Sequence, residues 1–155
     1  RFGPRWVTFT GFVMAVIGMS LYIRLSPEST YVSGVLPSII LMSLGMGLIF
    51  VPLWATALYG VSDHETGVAS AVLNTAQQIG GSIGIAFLNT IAASATAAFV
   101  VANNLQQPNA DALVEGFTTT FAWSTAILAF AGLVWVVLVR ISKKDLSKND
   151  VAAQF

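Results

Sequence analysis

Four long apolar runs, separated by short polar stretches, organise this chain. The first extends from about residue 6 to 25 and closes at Arg24 and "SPEST", whose Pro27 and polar neighbours cannot continue a helix in a medium without water. Gly11, Ala15 and Gly18 recur along it at helical spacing, as in helices that let a neighbour approach closely. The second run, about 35 to 58, contains Pro37, Gly45, Gly47 and Pro52, with Phe50, Trp54 and Thr56 toward its end. A proline inside a helix removes one backbone bond and bends it. In "YGVSDHETG", Ser62 and Glu65 have the spacing of a capping box, which predicts a helix start near Asp63 and a third helix over about 64–100. That length exceeds one perpendicular crossing, so the helix tilts or projects. "NNLQQPNADALVEG" then reads as a polar loop, and a fourth run covers about 117–139.

Each run approaches or exceeds the roughly 20 residues that an α-helix needs to cross a bilayer. The predicted fold is therefore all-α, a polytopic membrane protein of four transmembrane helices. Composition agrees, because 55% of residues are apolar and only 9% are charged, against roughly 25% charged in soluble domains. A formal net charge of zero argues against a nucleic-acid partner, and without cysteine there is no disulfide or thiolate site.

Threading the chain through four spans sorts its basic residues. Arg1, Arg5, Arg140, Lys143, Lys144 and Lys148 fall on one side and Arg24 on the other. The positive-inside rule then puts both ends of the segment, and the Asp63 loop, in the cytoplasm. On this reading residues 1–141 form the transmembrane region and 142–155 a cytoplasmic tail. The chain opens "RFGPRW" without a methionine, so its true beginning is expected upstream.

Catalytic chemistry finds little to work with. Glu28, Asp63, Glu65, Asp111, Glu115, Asp145 and Asp150 all lie in loops, helix ends or the tail, and His64 stands beside two acids in a loop. No triad, metal-ligand cluster or phosphate-binding glycine loop can be assembled. No enzyme, no cofactor and no metal site is expected.

One stretch departs from the apolar background: "NTAQQIGGSIG", residues 74–84. On a helix Asn74, Gln78 and Gly81 share a face, with Gln77 and Gly84 beside it. Gly80 and Gly84 form a GxxxG, and Gly80, Gly81 and Gly84 together read as helix-packing positions. An amide in hydrocarbon is costly unless bonded, so these side chains should point into protein or toward a wet cavity. The residues alone leave two readings open: amides gluing one helix to another, or amides lining a solute path.

"GVASAVLNTAQQIGGSIGIAFLNTI" (67–91) resembles the penultimate helix of fourteen-helix drug:proton antiporters of the major facilitator superfamily, the EmrB/QacA subfamily. There a stretch of the form G-x-A-S-A-x-x-N-T-x-Q-Q-x-G-G-x-x-G recurs. The rest follows in order. "RFGPRW" is similar to the basic loop before the eleventh helix, "LGMGLIFVPLWATALYGVS" to the twelfth helix, and "EGFTTTFAWSTAILAFAGLVW" to the last.

The resemblance implies that the chain is a fragment of a major facilitator superfamily fold, supplying its last four helices, with the missing N-terminal helices as its partners. It also implies a bacterial inner (plasma) membrane, drug-like small-molecule substrates and protons as the coupling ion. In such carriers two bundles rock around a midplane site. Helix two would line the central cavity, helix three would lie between the bundles, and helices one and four would face lipid. Phe50 and Trp54 are the candidates for contacting an apolar or cationic drug, by ring burial or cation–π attraction. Their plainer reading is lipid or core packing. Asn74 and Gln78 are the candidate polar contacts. The alternative function is a four-helix membrane scaffold or accessory protein without transport activity of its own. A small dimeric four-helix carrier is disfavoured, because such carriers depend on a glutamate within the first helix and none is present.

Overall fold

A computed structural model describes residues 4–138, so the tail at 142–155 and the basic residues Arg1, Arg140, Lys143, Lys144 and Lys148 lie outside the described residues. Four helices follow one another: α1 Pro4–Tyr22, α2 Leu36–Ala57, α3 Thr66–Ala102 and α4 Ala110–Leu138. All four are long and apolar enough to cross a membrane. At about 1.5 Å per residue, the 37 residues of α3 reach roughly 55 Å, well beyond a hydrocarbon core of about 30 Å.

Helix ends follow local chemistry rather than the limits of the apolar runs. After Tyr22 the chain tightens into successive three-residue bonds, Ile23 N–H to the Ser20 carbonyl, Arg24 to Leu21 and Leu25 to Tyr22, each 3.2 Å. This satisfies carbonyls that the helix would otherwise leave bare, and Pro27 ends it. A wide turn, Tyr31–Val35, leads into α2. Pro37 stands in the first turn of α2, where its missing N–H costs nothing, whereas Pro52 lies inside it. Beyond α2, Gly60 turns the chain at φ 79°, a conformation that glycine adopts without penalty.

The capping box expected at Ser62 and Glu65 does not form. The Ser62 hydroxyl donates to the Glu65 carboxylate at 2.9 Å, so the two side chains satisfy each other instead of free amides. Those amides are met by backbone, with Glu65 and Thr66 N–H both donating to the Ser62 carbonyl. The regular helix consequently starts at Thr66.

At the far end of α3, Asn104 takes a left-handed φ of 51°. Its N–H reaches the Val101 carbonyl and that of Leu105 the Val100 carbonyl, the paired bonds of a Schellman terminus with asparagine in place of glycine. Helix α4 starts several residues ahead of its apolar run because Asn109 caps it. The Asn109 Oδ1 accepts the Ala112 N–H at 2.9 Å, and Asp111 sits in the first turn, where the helix dipole favours an acid.

Packing does not follow chain order. Helix α1 lies between α2 and α4, and α3 packs on α4. Although consecutive, α2 and α3 share no packed face along their lengths.

The α1–α2 crossing is built from small residues. A Cβ on Gly45 would stand 2.7 Å from both the Gly11 carbonyl oxygen and the Ala15 nitrogen, and one on Gly18 would stand 2.8 Å from the Met42 nitrogen. Only missing side chains allow backbones this close. Phe12, Ala15 and Ile49 form the core, with Met46, Leu53, Leu128 and Trp135 packed around it where α1, α2 and α4 meet. Gly132 on α4 makes room for the Phe12 ring, whose Cγ would lie 3.0 Å from an added Cβ.

Arg5 fastens α1 to α4. Its guanidinium donates to the Val136 carbonyl at 2.7 Å.

Candidate functional site

Two faces left uncovered by this packing hold the residues singled out in the sequence. On α2, Ser38, Gly45 and Ile49 are buried. The opposite side of the helix presents Ser43, Gly47, Phe50 and Trp54, which recur at i, i+4, i+7 and i+11. Phe50 is 38% exposed and Trp54 is half-buried. Among the described residues neither ring stacks on another aromatic; such pairs are Trp6–Phe9, Tyr22–Phe121 and Phe87–Trp123. Phe50 and Trp54 thus stand on the side of α2 turned away from the core, with a serine and a glycine between and below them.

The second face belongs to α3, which has no buried residue. Close contact with α4 occurs around Gly116, where a Cβ would meet the Thr96 hydroxyl and the Ala92 carbonyl, and at the Phe87–Trp123 pair, with ring centroids 6.2 Å apart. The 74–84 segment lies outside this contact. An added Cβ at Gly80, Gly81 or Gly84 would meet nothing within 4 Å. Among the described residues nothing packs against these glycines.

Hydroxyls and amides behave differently on α3. Thr75, Ser82 and Thr90 each donate to the carbonyl four residues back, Ala71, Gln78 and Ala86, at 2.8 to 2.9 Å. A short hydroxyl can fold onto its own helix in this way. The amide groups of Asn74, Gln77, Gln78 and Asn89 make no hydrogen bond among the described residues, and all four side chains are exposed. Each amide offers two donors and an acceptor, and an apolar medium exacts several kcal/mol for each group left bare. These amides therefore require a partner from outside the segment: another helix, water or a solute.

Asn89 and Ser43 were missed in the sequence. Asn89 had a signal, since Leu-Asn-Thr occurs at 73–75 and again at 88–90; the second copy lies on the Gln78–Ser82 side of the helix. Ser43 had none, being one hydroxyl among many. No packed α2–α3 face brings Phe50 and Trp54 together with Asn74 and Gln78. The two pairs occupy two surfaces of an open arrangement. No group of three or more metal-ligating side chains occurs among the described residues.

Sequence relatives exist for the segment as a whole. The chain is 39% identical over 143 residues to the puromycin resistance protein pur8 of Streptomyces alboniger, a match covering 89% of this chain and 28% of that protein. It is 37% identical over 86 residues to the cephamycin export protein CmcT of Amycolatopsis lactamdurans, covering 56% of this chain and 18% of the relative. With the multidrug efflux pump LfrA of Mycolicibacterium smegmatis it shares 33% identity over 91 residues, covering 59% and 18% respectively. The chain thus spans less than a third of the length of the curated relatives it matches. No family model and no solved structure matches it. The chain thus carries four helices long and apolar enough to cross a membrane and matches the C-terminal part of antibiotic resistance and export proteins of the major facilitator superfamily.

Proposed function

We propose that the chain works as the C-terminal portion of a carrier that exports drugs or other small amphipathic molecules across a bacterial inner membrane in exchange for protons. It performs no chemistry on its cargo. The observation that carries this reading is the set of bare amides at Asn74, Gln77, Gln78 and Asn89 on a helix otherwise suited to lipid. Such groups are kept in a span mainly for what they bind. Asn74 and Gln78 serve as polar contacts for the solute or for the facing bundle. Phe50 and Trp54 offer aromatic surface to an apolar or cationic drug. Gly80, Gly81 and Gly84 receive a helix from the remainder of the carrier, whose other helices complete the path. Both ends of the segment face the cytoplasm, as the one-sided distribution of arginine and lysine supports.

The test substitutes Asn74→Leu and Gln78→Leu in the intact carrier and measures protein level and drug resistance together. Near-normal membrane levels with an altered profile of exported drugs are expected. Gly80→Leu and Gly84→Leu should instead lower the amount of assembled carrier, because bulk at a close contact forces helices apart. If all four substitutions lower protein level alike and leave the drug profile unchanged, the amides serve assembly only and the solute path lies elsewhere.

A further inference from the structure

On the outside of the α1–α4 contact runs an open groove of about 420 Å³. Its walls include Phe9, Val13 and Val16 from α1 and Ala129, Leu133 and Val136 from α4, all apolar. An open channel of this size with apolar walls suits an acyl chain. Arg5 marks one end. It lies one helical turn before Phe9 on the same side of α1, and its guanidinium is held beside the groove by the bond to the Val136 carbonyl. That bond uses a fraction of the five donors of the group. Among the described residues no carboxylate pairs with Arg5. A half-buried guanidinium at the end of an apolar channel has the complementarity of an anionic phospholipid: acyl chain in the groove, phosphate on the arginine. In the sequence, Arg140, Lys143 and Lys144 follow Val136 closely.

We infer that the α1–α4 groove, with Arg5 at its end, is a binding site for an anionic phospholipid of the leaflet on that side. The site is separate from the faces assigned to the solute and does not depend on the transport reading. Bound lipid bridges α1 and α4, adding to the Arg5–Val136 bond.

The intact carrier that contains this chain is reconstituted in phosphatidylcholine vesicles holding a minor fraction of phosphatidylglycerol. Trace phosphatidylglycerol or phosphatidylcholine carrying a photoactivatable acyl chain is added, and cross-linked peptides are mapped by mass spectrometry. Phosphatidylglycerol should label the two groove walls about fivefold more than phosphatidylcholine, the preference one arginine confers near an anionic headgroup. Arg5→Gln should bring the two lipids to parity. Ala129→Phe, which leaves Arg5 in place and fills the groove, should reduce labelling by both and guards against a misfolded Arg5 variant. Equal labelling by the two lipids in the unmodified carrier overturns the proposal. So does an absence of label from the groove, which would mean that another helix covers it, or labelling that Ala129→Phe leaves unchanged.

Discussion

Replacing Gly45 by alanine adds one methyl group where the backbones of α1 and α2 cross closely. The new Cβ would lie 2.7 Å from the Gly11 carbonyl oxygen, 2.7 Å from the Ala15 nitrogen and 2.9 Å from the Ala15 Cβ. Ordinary contact begins near 3.5 Å, so relief requires the helices to part by roughly 0.8 Å. None of the three atoms belongs to a flexible side chain that could swing away. Overpacking of this kind costs about 1–3 kcal/mol, and two backbone clashes favour the upper half of that range. Alanine recovers up to about 1 kcal/mol of helix propensity, which leaves a net loss of roughly 1.5 kcal/mol. Gly34→Ala is the control: its Cβ would meet the Ser29 Cβ at 3.1 Å and the Leu25 Cδ2 at 3.2 Å, the latter being the mobile tip of a long side chain. Hydrogen exchange of the purified intact carrier in detergent, read by mass spectrometry on peptides from α1 and α2, reports the local loss directly. About tenfold faster exchange is expected around Gly11–Gly18 and Met42–Ile49 in Gly45→Ala, with little change in Gly34→Ala. Equal protection in the two variants would refute the close-crossing argument.

Asn109→Ala removes the oxygen that accepts the Ala112 N–H and should weaken the start of α4 by about 1 kcal/mol, seen as faster exchange confined to the first turns of that helix. In topology, a cysteine at Asn104 should react with an impermeant thiol reagent in intact cells and one at Ser147 should not; the reverse pattern would invert the assigned orientation. Neutralising Asp63, Glu65, Asp111 and Glu115 together should leave drug-dependent proton flux measurable in vesicles. These four acids lie in loops or helix ends, and a coupling proton needs an ionisable group within the membrane. Complete loss of flux in a carrier that still inserts and binds drug would mean that a loop carboxylate enters the solute path.

The spans were legible because lipid imposes an unbroken apolar run, and nothing local can disguise one. The role of Gly11, Ala15 and Gly18 was legible for a related reason: small residues at helical spacing have few other uses in a membrane. Their partners, Ser38, Met42 and Gly45 on α2, were not, since spacing along one helix says nothing of which neighbour it meets. The ends of helices were harder. Asn109 starts α4 in polar surroundings where hydropathy gives no signal, and Ser62 and Glu65 have the right spacing for a cap yet bond to each other. The amides of α3 stood out by their cost in hydrocarbon. Their surroundings could not be read, because a partner outside the chain leaves no trace in its pattern.

The order in which the helices pack sets a schedule for synthesis. Helices α1 and α2 can pair as soon as both have entered the membrane, their glycines already facing one another. Helix α3 emerges next and finds no packed face on α2; its first firm neighbour is α4, still to be made. During that interval the longest span waits in the bilayer with its α4-facing side, around Phe87, Ala92 and Thr96, uncovered. A nascent chain in that state is what an insertase can shelter and a membrane protease can recognise. Slow translation across 103–109 would lengthen the exposure, so the yield of finished carrier should be sensitive to codon choice in that loop while remaining indifferent to it in the turn between α1 and α2.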